Sequence, residues 1–175
     1  MSPPGPRRPC RLAIPCRACV ARVDPAGTDS PIGRRVAVLI ETPRGAFVKR
    51  DLVDGRLRVA FVSPVPCPFD YGHVPGEPAA DGLDRDAVWL GPSRKALDTA
   101  EGRVVAVVRF RDGGVEDDKW VVDARGALST RDAGRIRRFF RVYAASKRLL
   151  GTKARFGGIE TAPEGAAGLG GGMAT

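Results

Sequence analysis

The chain has 175 residues, of which 43% are hydrophobic and 28% charged, the balance of one ordinary globular domain rather than of a disordered chain or a repeat array. Its apolar runs are far too short to span a bilayer, which argues against a transmembrane helix and against a membrane partner. The formal charge is +9, from 29 Lys and Arg against 20 Asp and Glu, and a charge of that size points to a polyanion partner if it is evenly spread.

It is not evenly spread. Residues 1–35 carry +5, residues 36–69 carry +2, residues 70–123 carry −5 and residues 124–155 carry +9. A carboxylate-rich middle is flanked by basic arms. The bases are 24 Arg and only 5 Lys, beside 22 Gly and 15 Pro. That bias resembles a GC-rich coding sequence, so the arginine excess alone indicates no function.

In chain order, residues 1–33 read as a disordered tail. Pro3, Pro4, Pro6, Pro9 and Pro15 break any helix and no apolar period is sustained. Pro and Arg interrupt every candidate apolar core, so the segment does not read as a secretory signal. The tail holds Cys10, Cys16 and Cys19. Cys16 and Cys19 have the spacing of a zinc half-site or a redox pair, but a four-ligand site would need partners, and the only histidine is His73. These cysteines read as incidental and reduced, which fits a cytoplasmic protein. Cys67, between Pro66 and Pro68, reads as packed rather than reactive.

Regular structure begins near residue 36. Residues 36–41 form an apolar β-branched run, a buried strand. Residues 46–49 are a second short strand. Asp54-Gly55 is a hairpin turn and residues 56–62 are its return strand. Residues 87–90, 103–110 and 119–122 are further strands. Over residues 129–150 the period changes: Ile136, Phe139, Phe140, Tyr143 and Leu150 recur at helical spacing, with arginines opposite. Ser129 and Asp132 resemble a capping box, and Gly151 is a stop. From residue 160 the chain is rich in Gly and Ala and reads as a second disordered tail. The expected architecture is mainly β with one helix: a small closed or half-closed β-barrel with a packed helix, rather than a doubly wound sheet, over residues 34–159.

The chemistry concentrates in two acidic segments. Asp81, Asp84 and Asp86 fall within six residues, in a loop that feeds a hydrophobic strand, and Asp112 and Glu116-Asp117-Asp118-Lys119 form a second cluster between strands. Carboxylates this dense repel one another unless they are solvated or neutralised by a cation. Hard oxygen donors without a nearby cysteine or second histidine suit Mg²⁺ rather than Zn²⁺. Two solvated Asp- and Gly-rich turns would give the same composition.

Six motifs, in order and in register over residues 36–147, carry a resemblance to a family. They are Glu41-Thr-Pro43-Arg-Gly45; Lys49, eight residues after Glu41; Ser63-Pro-Val followed by Pro68-Phe-Asp-Tyr71-Gly72; Asp81-Gly82 with Asp86; Asp112 with Asp117-Asp118-Lys119; and Phe139-Phe140 with Tyr143. Together the chain resembles the soluble family I inorganic pyrophosphatases. The resemblance implies a distorted OB-type barrel with helices packed outside, and Mg²⁺-dependent hydrolysis of inorganic diphosphate to two phosphates. It implies Asp81, Asp86, Asp112 and Asp117 as metal ligands. Lys49, Tyr71, Lys119 and Tyr143 would hold phosphate oxygens, and Glu41 would be an outer carboxylate. Metal ions lower the pKa of water, and cations and Tyr hydroxyls stabilise charge on the phosphoryl and leaving groups.

The departures from that pattern are specific. The family's water-orienting aspartate corresponds to Leu83, and Asp84 follows one residue later. On an extended segment a one-residue shift turns a side chain to the opposite face, and on a loop it need not. Asp84 therefore either takes over the catalytic role beside Asp81 or points to solvent. The family's hairpin arginine aligns with Val59, with Arg56 and Arg58 nearby but off register. The lysine after the helix tyrosine is Ala144, and Lys147, one turn on, is the candidate substitute. His73 stands where the family has Phe, and reads as a structural residue beside a turn. Uncompensated, these changes imply a slow enzyme. Two other classes compete. One is a pseudoenzyme that binds metal–diphosphate or a phosphometabolite without cleaving it. The other is a nucleic-acid-binding barrel using Arg135, Arg137, Arg138, Arg141 and Arg148, which the 6% aromatic content disfavours for stacking. A homo-oligomer is compatible with the sequence.

Overall fold

The computed structural model describes residues 30–162. The expectations for residues 1–29, including Cys10, Cys16 and Cys19, and for residues 163–175 lie outside the described residues. Nine strands and one helix follow in the order β1 (Arg35–Thr42), β2 (Val48–Val53), β3 (Arg56–Val62), β4 (Asp70–Pro78), β5 (Asp84–Leu90), β6 (Thr99–Asp112), β7 (Val115–Glu116), β8 (Lys119–Asp123), α1 (Thr130–Leu149) and β9 (Arg155–Thr161).

Five strands close on themselves. The order β1-β4-β5-β8-β6 returns to β1 through a second edge of β6, so none of the five is left as a free edge. β5 and β8 run parallel, while β1–β4, β4–β5, β6–β8 and β1–β6 are antiparallel. Long β6 continues past the barrel to pair with β7 and β9. The β2–β3 hairpin is a separate two-stranded sheet that turns at Asp54 and Gly55, both at positive φ. This is the mainly β barrel with one packed helix that the pattern implied, in the OB-like form that the resemblance implied.

The period of two along each strand divides the protein into an inner and an outer core. Val38 and Ile40 of β1, Val74 of β4, Ala87 and Trp89 of β5, Val104 and Val107 of β6, and Trp120 and Val122 of β8 form one cluster drawn from all five barrel strands. Their sequence neighbours face outward. Tyr71, Val88, Val108, Phe110 and Val121 form a second cluster with Ile136, Phe139, Phe140 and Tyr143 of α1. The helix packs there as expected, with the Ser129 side chain accepting from the Asp132 N–H. Aromatic edge contacts tie it down: Phe69 lies 5.1 Å from Phe139 and Phe61 lies 5.2 Å from Tyr143.

Three findings differ from the expected elements. β2 begins two residues later than expected and runs to Val53. β4 is not among the expected strands, and its Gly72, Pro75, Gly76 and Pro78 are poor strand formers. Gly72 is there for a steric reason. A Cβ at that position would lie 1.8 Å from the Leu39 carbonyl oxygen, so only glycine lets β4 lie against β1. β9 was not expected, and it runs through Glu160 to Thr161, where the second tail was placed; Glu160 is held by Arg109. No helix among the described residues is long and apolar enough to cross a membrane.

Candidate active site

The outward alternation that gives α1 its packing surface also builds the site. On β5, Asp84, Asp86 and Val88 share the outer face. On β4, Tyr71 and His73 do, and on β8, Lys119 and Val121 do. Near α1 this face is apolar. Toward the β4–β5 connection it becomes charged and opens into a cleft of about 440 Å³. Glu41, Lys49, Asp51, His73, Asp81, Leu83, Asp84, Asp86 and Asp117 are among its walls. A β-bulge helps to aim one of them: Ile40 pairs with Gly72 and Thr42 with Tyr71, leaving Glu41 as the extra residue of β1.

Asp86 is the centre of the charge network. Its Oδ2 accepts from Tyr71 Oη at 2.6 Å and from Lys119 Nζ at 2.5 Å, and lies 3.5 Å from Lys49 Nζ. Burial pushes the Asp86 carboxyl up, but Lys49, Lys119 and the hydrogen bonds outweigh it and hold it well below the usual carboxylate range. Lys119 is only 2% exposed and also donates to Asp117. Burial raises the Asp117 pKa against the pull of Lys119. Burial works against the charge on Lys49, yet Asp86, Tyr143, Asp51 and Asp117 together carry its pKa above the ordinary lysine value. The Lys49 ammonium sits 4.8 Å from the Tyr71 ring centroid. Burial and then Asp86 push the Tyr71 hydroxyl well up, so it stays a donor.

The other expected residues fall as follows. Asp81 sits in the β4–β5 connection, where its Oδ1 accepts from the Leu83 N–H at 3.0 Å. Asp84 opens β5 and therefore shares the cleft face with Asp86, two residues on. The Asp84 side chain lines the cleft and is also 43% exposed, so it meets both cleft and solvent. Its Oδ1 accepts from the Gly76 N–H at 3.1 Å. Glu41 is 3% exposed and accepts from the Leu52 N–H at 2.6 Å. Tyr143 is buried against Phe61, Phe110 and Phe139. Lys147 lies 5.3 Å from the Tyr143 ring and donates to Asp112. Asp112 is thus engaged by Lys147 and is not among the cleft walls.

Two cleft residues were not expected as functional: Asp51, on the face of β2 that carries Lys49, and His73. Asp51 Oδ1 is buried without a hydrogen-bond partner; Lys49 Nζ is 3.3 Å away, within ion-pair range but out of alignment. The period-two spacing Lys49-x-Asp51 is the signal that could have found it. His73 Nδ1 lies 3.0 Å from Glu41 Oε1 and Nε2 lies 3.8 Å from Asp84 Oδ2. Nothing in the local sequence signals that contact, because Glu41 lies 32 residues away.

The missing cations stay missing. Val59 is 65% exposed, Ala144 is 1% exposed against the core, and Arg58 pairs with Asp54 at 3.6 Å on the exposed hairpin. Leu83 is 68% exposed at the cleft wall. Beside the cleft a small apolar pocket contains Phe47, Phe61, Cys67 and Phe139. Burial pushes the Cys67 thiol up to about 12, which makes it a packed and unreactive cysteine.

Six carboxylates line the cleft against one lysine and one histidine, Lys49 and His73. In donor chemistry they fit a hard divalent cation. As they stand, no three His, Cys, Asp or Glu side chains among the described residues converge closely enough to chelate one ion. The Lys119 ammonium sits between Asp86 and Asp117 instead.

No family model and no curated protein matches the chain. Solved structures do match. The inorganic pyrophosphatase of Helicobacter pylori is 24% identical, with a TM-score of 0.65, over 76% of this chain and 88% of that one. That of Thermus thermophilus is 23% identical, with a TM-score of 0.65, over 78% and 87%. The N-terminally truncated vacuolar soluble pyrophosphatase of Trypanosoma cruzi, in complex with PPi, is 18% identical, with a TM-score of 0.56, over 80% and 67%. The chain therefore has the fold of the inorganic pyrophosphatases, as the six motifs implied, at identities that establish the fold alone.

Proposed function

We propose that this protein is an inorganic diphosphatase, which hydrolyses inorganic diphosphate to two phosphates with Mg²⁺. One observation carries the reading: Asp81, Asp84, Asp86 and Asp117, separated by up to 36 positions in the chain, line a single cleft with Lys49. The fold and the PPi held by the Trypanosoma cruzi protein support the substrate. Asp81, Asp86 and Asp117 are the carboxylates that would hold the cation, with Asp51, the ion-pair partner of Lys49, beside them. Bound there, Mg²⁺ would screen diphosphate from the carboxylates and acidify water. Lys49 holds a phosphoryl oxygen. Lys119 and Tyr71 keep Asp86 ionised and fixed, while Tyr143 and Lys147, expected as phosphate ligands, stand outside the cleft with Asp112. Asp84 takes the proton of the attacking water at Oδ2 as the new oxygen–phosphorus bond forms and the bridging bond breaks toward the leaving phosphate.

With no arginine at Val59 and no lysine at Ala144, turnover is slow: losing one electrostatic donor typically costs ~10²–10³ in rate. The reduced, buried Cys67 fits a cytoplasmic setting. The test is phosphate release from diphosphate with Mg²⁺. Turnover lost in Asp117→Asn supports the reading, and no wild-type turnover above background sinks it. Leu83 at the cleft wall favours one rival, a pseudoenzyme. Tight calorimetric binding of a non-hydrolysable diphosphate analogue without turnover would select that rival.

A further inference from the structure

The leucine at position 83 leaves an enzyme of this design without its usual water-orienting carboxylate. Asp84 lies on the correct face, but a carboxylate at the first residue of a strand, beside an exposed connection, is not held by packing. The structure holds it in two ways. The pairing of β4 with β5 slips between Val74 and Pro78, so that Val74 opposes Arg85 but Pro78 opposes Asp84. The slack in β4 is taken up around Gly76, at φ 81°, whose N–H points at Asp84 Oδ1. The other oxygen faces His73, which sits directly across from Asp86 in the register.

We propose that His73 is a positioning residue that holds the Asp84 carboxylate in the cleft through the side-chain series Glu41–His73–Asp84, compensating for Leu83. The proposal rests on the diphosphatase reading above. Glu41 is buried and pinned by the Leu52 N–H at 2.6 Å, so it is a fixed acceptor for Nδ1. A fixed acceptor on Nδ1 sets the orientation of the imidazole, and in the imidazolium form, with a proton on both nitrogens, the Nε2–H is aimed at its second partner. Nε2 then faces Asp84 Oδ2 at 3.8 Å, a distance that a small movement of an exposed carboxylate closes. A phenylalanine at this place would fill similar volume against β1 and β5 but would offer Asp84 nothing. The same substitution would leave Glu41 without its side-chain partner. Leu83, Asp84 and His73 are thus three departures with one geometric explanation.

The experiment compares kcat and KM for diphosphate hydrolysis in His73→Phe, His73→Gln, Asp84→Asn and the His73→Phe/Asp84→Asn double variant. His73→Phe is expected to lower kcat about 10- to 100-fold, the range for loss of a supporting contact, with KM within about twofold. His73→Gln, which keeps a polar end, should recover part of the loss. The double variant should be no slower than Asp84→Asn alone, since the histidine acts through the aspartate. Multiplying effects, or an unchanged kcat in His73→Phe, overturn the proposal. A second readout needs no turnover. His73 is the only histidine, so its two ring nitrogens give unambiguous ¹⁵N signals. In the metal-free protein Asp84→Asn should shift Nε2 and leave Nδ1 nearly unmoved. If the wild type hydrolyses nothing while Nε2 responds, the diphosphatase reading fails and the contact stands. If the wild type turns over and Nε2 ignores Asp84→Asn, the positioning role fails alone.

Discussion

The cleft and the outer face of α1 are two strongly charged regions of the described residues, and they use charge in opposite ways. Arg131, Arg137, Arg138 and Arg141 of α1 are exposed, and their charge is spent on solvent. Lys49, Asp86, Lys119 and Asp117 are drawn together on the barrel's outer face, where burial makes each charge depend on its neighbours. The helix carries most of the net positive charge after residue 123, but the carboxylate segment carries the chemistry. Net charge therefore misleads here, and burial decides which charges matter.

The comparison predicts effects that fall steeply from one region to the other. Asp86→Ala should have the largest. It removes the acceptor of Tyr71 Oη and one of two acceptors of buried Lys119. The expected result is loss of turnover together with about 2 kcal/mol of stability, read by urea unfolding. An unfolding midpoint equal to that of the wild type would mean that this network is not buried in the sense described. Leu83→Asp tests whether Asp84 has taken over. In the wild-type background kcat should change by less than about threefold, because a second carboxylate beside Asp84 adds repulsion and no new function. In the Asp84→Asn background the same change should restore activity. A large gain in the wild type would indicate that Asp84 does not serve.

The next effect is one of pH. The hydrogen bond to Glu41 raises the His73 pKa above its ordinary value; burial opposes it, and the charges of Glu41, Asp84 and Asp86 add to it. Folding therefore favours the protonated ring. That contribution to stability is fully present below the unfolded value of about 6.5 and is lost as pH rises through the higher folded value. In the metal-free protein the single histidine should titrate above ~6.5, and Asp84→Asn should lower the midpoint. A midpoint below the ordinary value would break the Glu41 contact as described. The smallest effect belongs to the helix face. Arg137→Gln with Arg138→Gln should change stability by no more than about 0.5 kcal/mol and leave kcat as it was. Any nucleic-acid binding lost with those arginines should already be lost at moderate salt. Salt-resistant binding would give the helix a function that its solvated charges do not suggest.

Much of the fold was legible because strong local patterns agree with the tertiary structure. The β-branched run before Glu41, the Asp54-Gly55 turn, and the Ser129 cap before an apolar stripe all became the elements they imply. β4 was not legible, since Gly72 and Gly76 serve a close strand approach and a register slip, and both look like turns in the sequence. In the site, the five-residue spacing of Asp81 and Asp86 and the run ending at Lys119 were enough to mark the carboxylates. What could not be read was where each side chain ends. Lys147 reaches Asp112 from one turn beyond Ala144, and Lys119 buries itself between two aspartates.

By itself the sequence determined most of the elements, the barrel class and a set of acids suited to a divalent cation, because these follow from periodicity and residue type. Only the tertiary structure decided that Asp84 shares a cleft with Asp81, Asp86 and Asp117, that Arg58 does not, and that His73 meets Glu41. Those outcomes depend on strand register, on the bulge at Glu41 and on contacts across dozens of residues. A shift of one residue in any of them turns a side chain from the cleft to the core or to solvent.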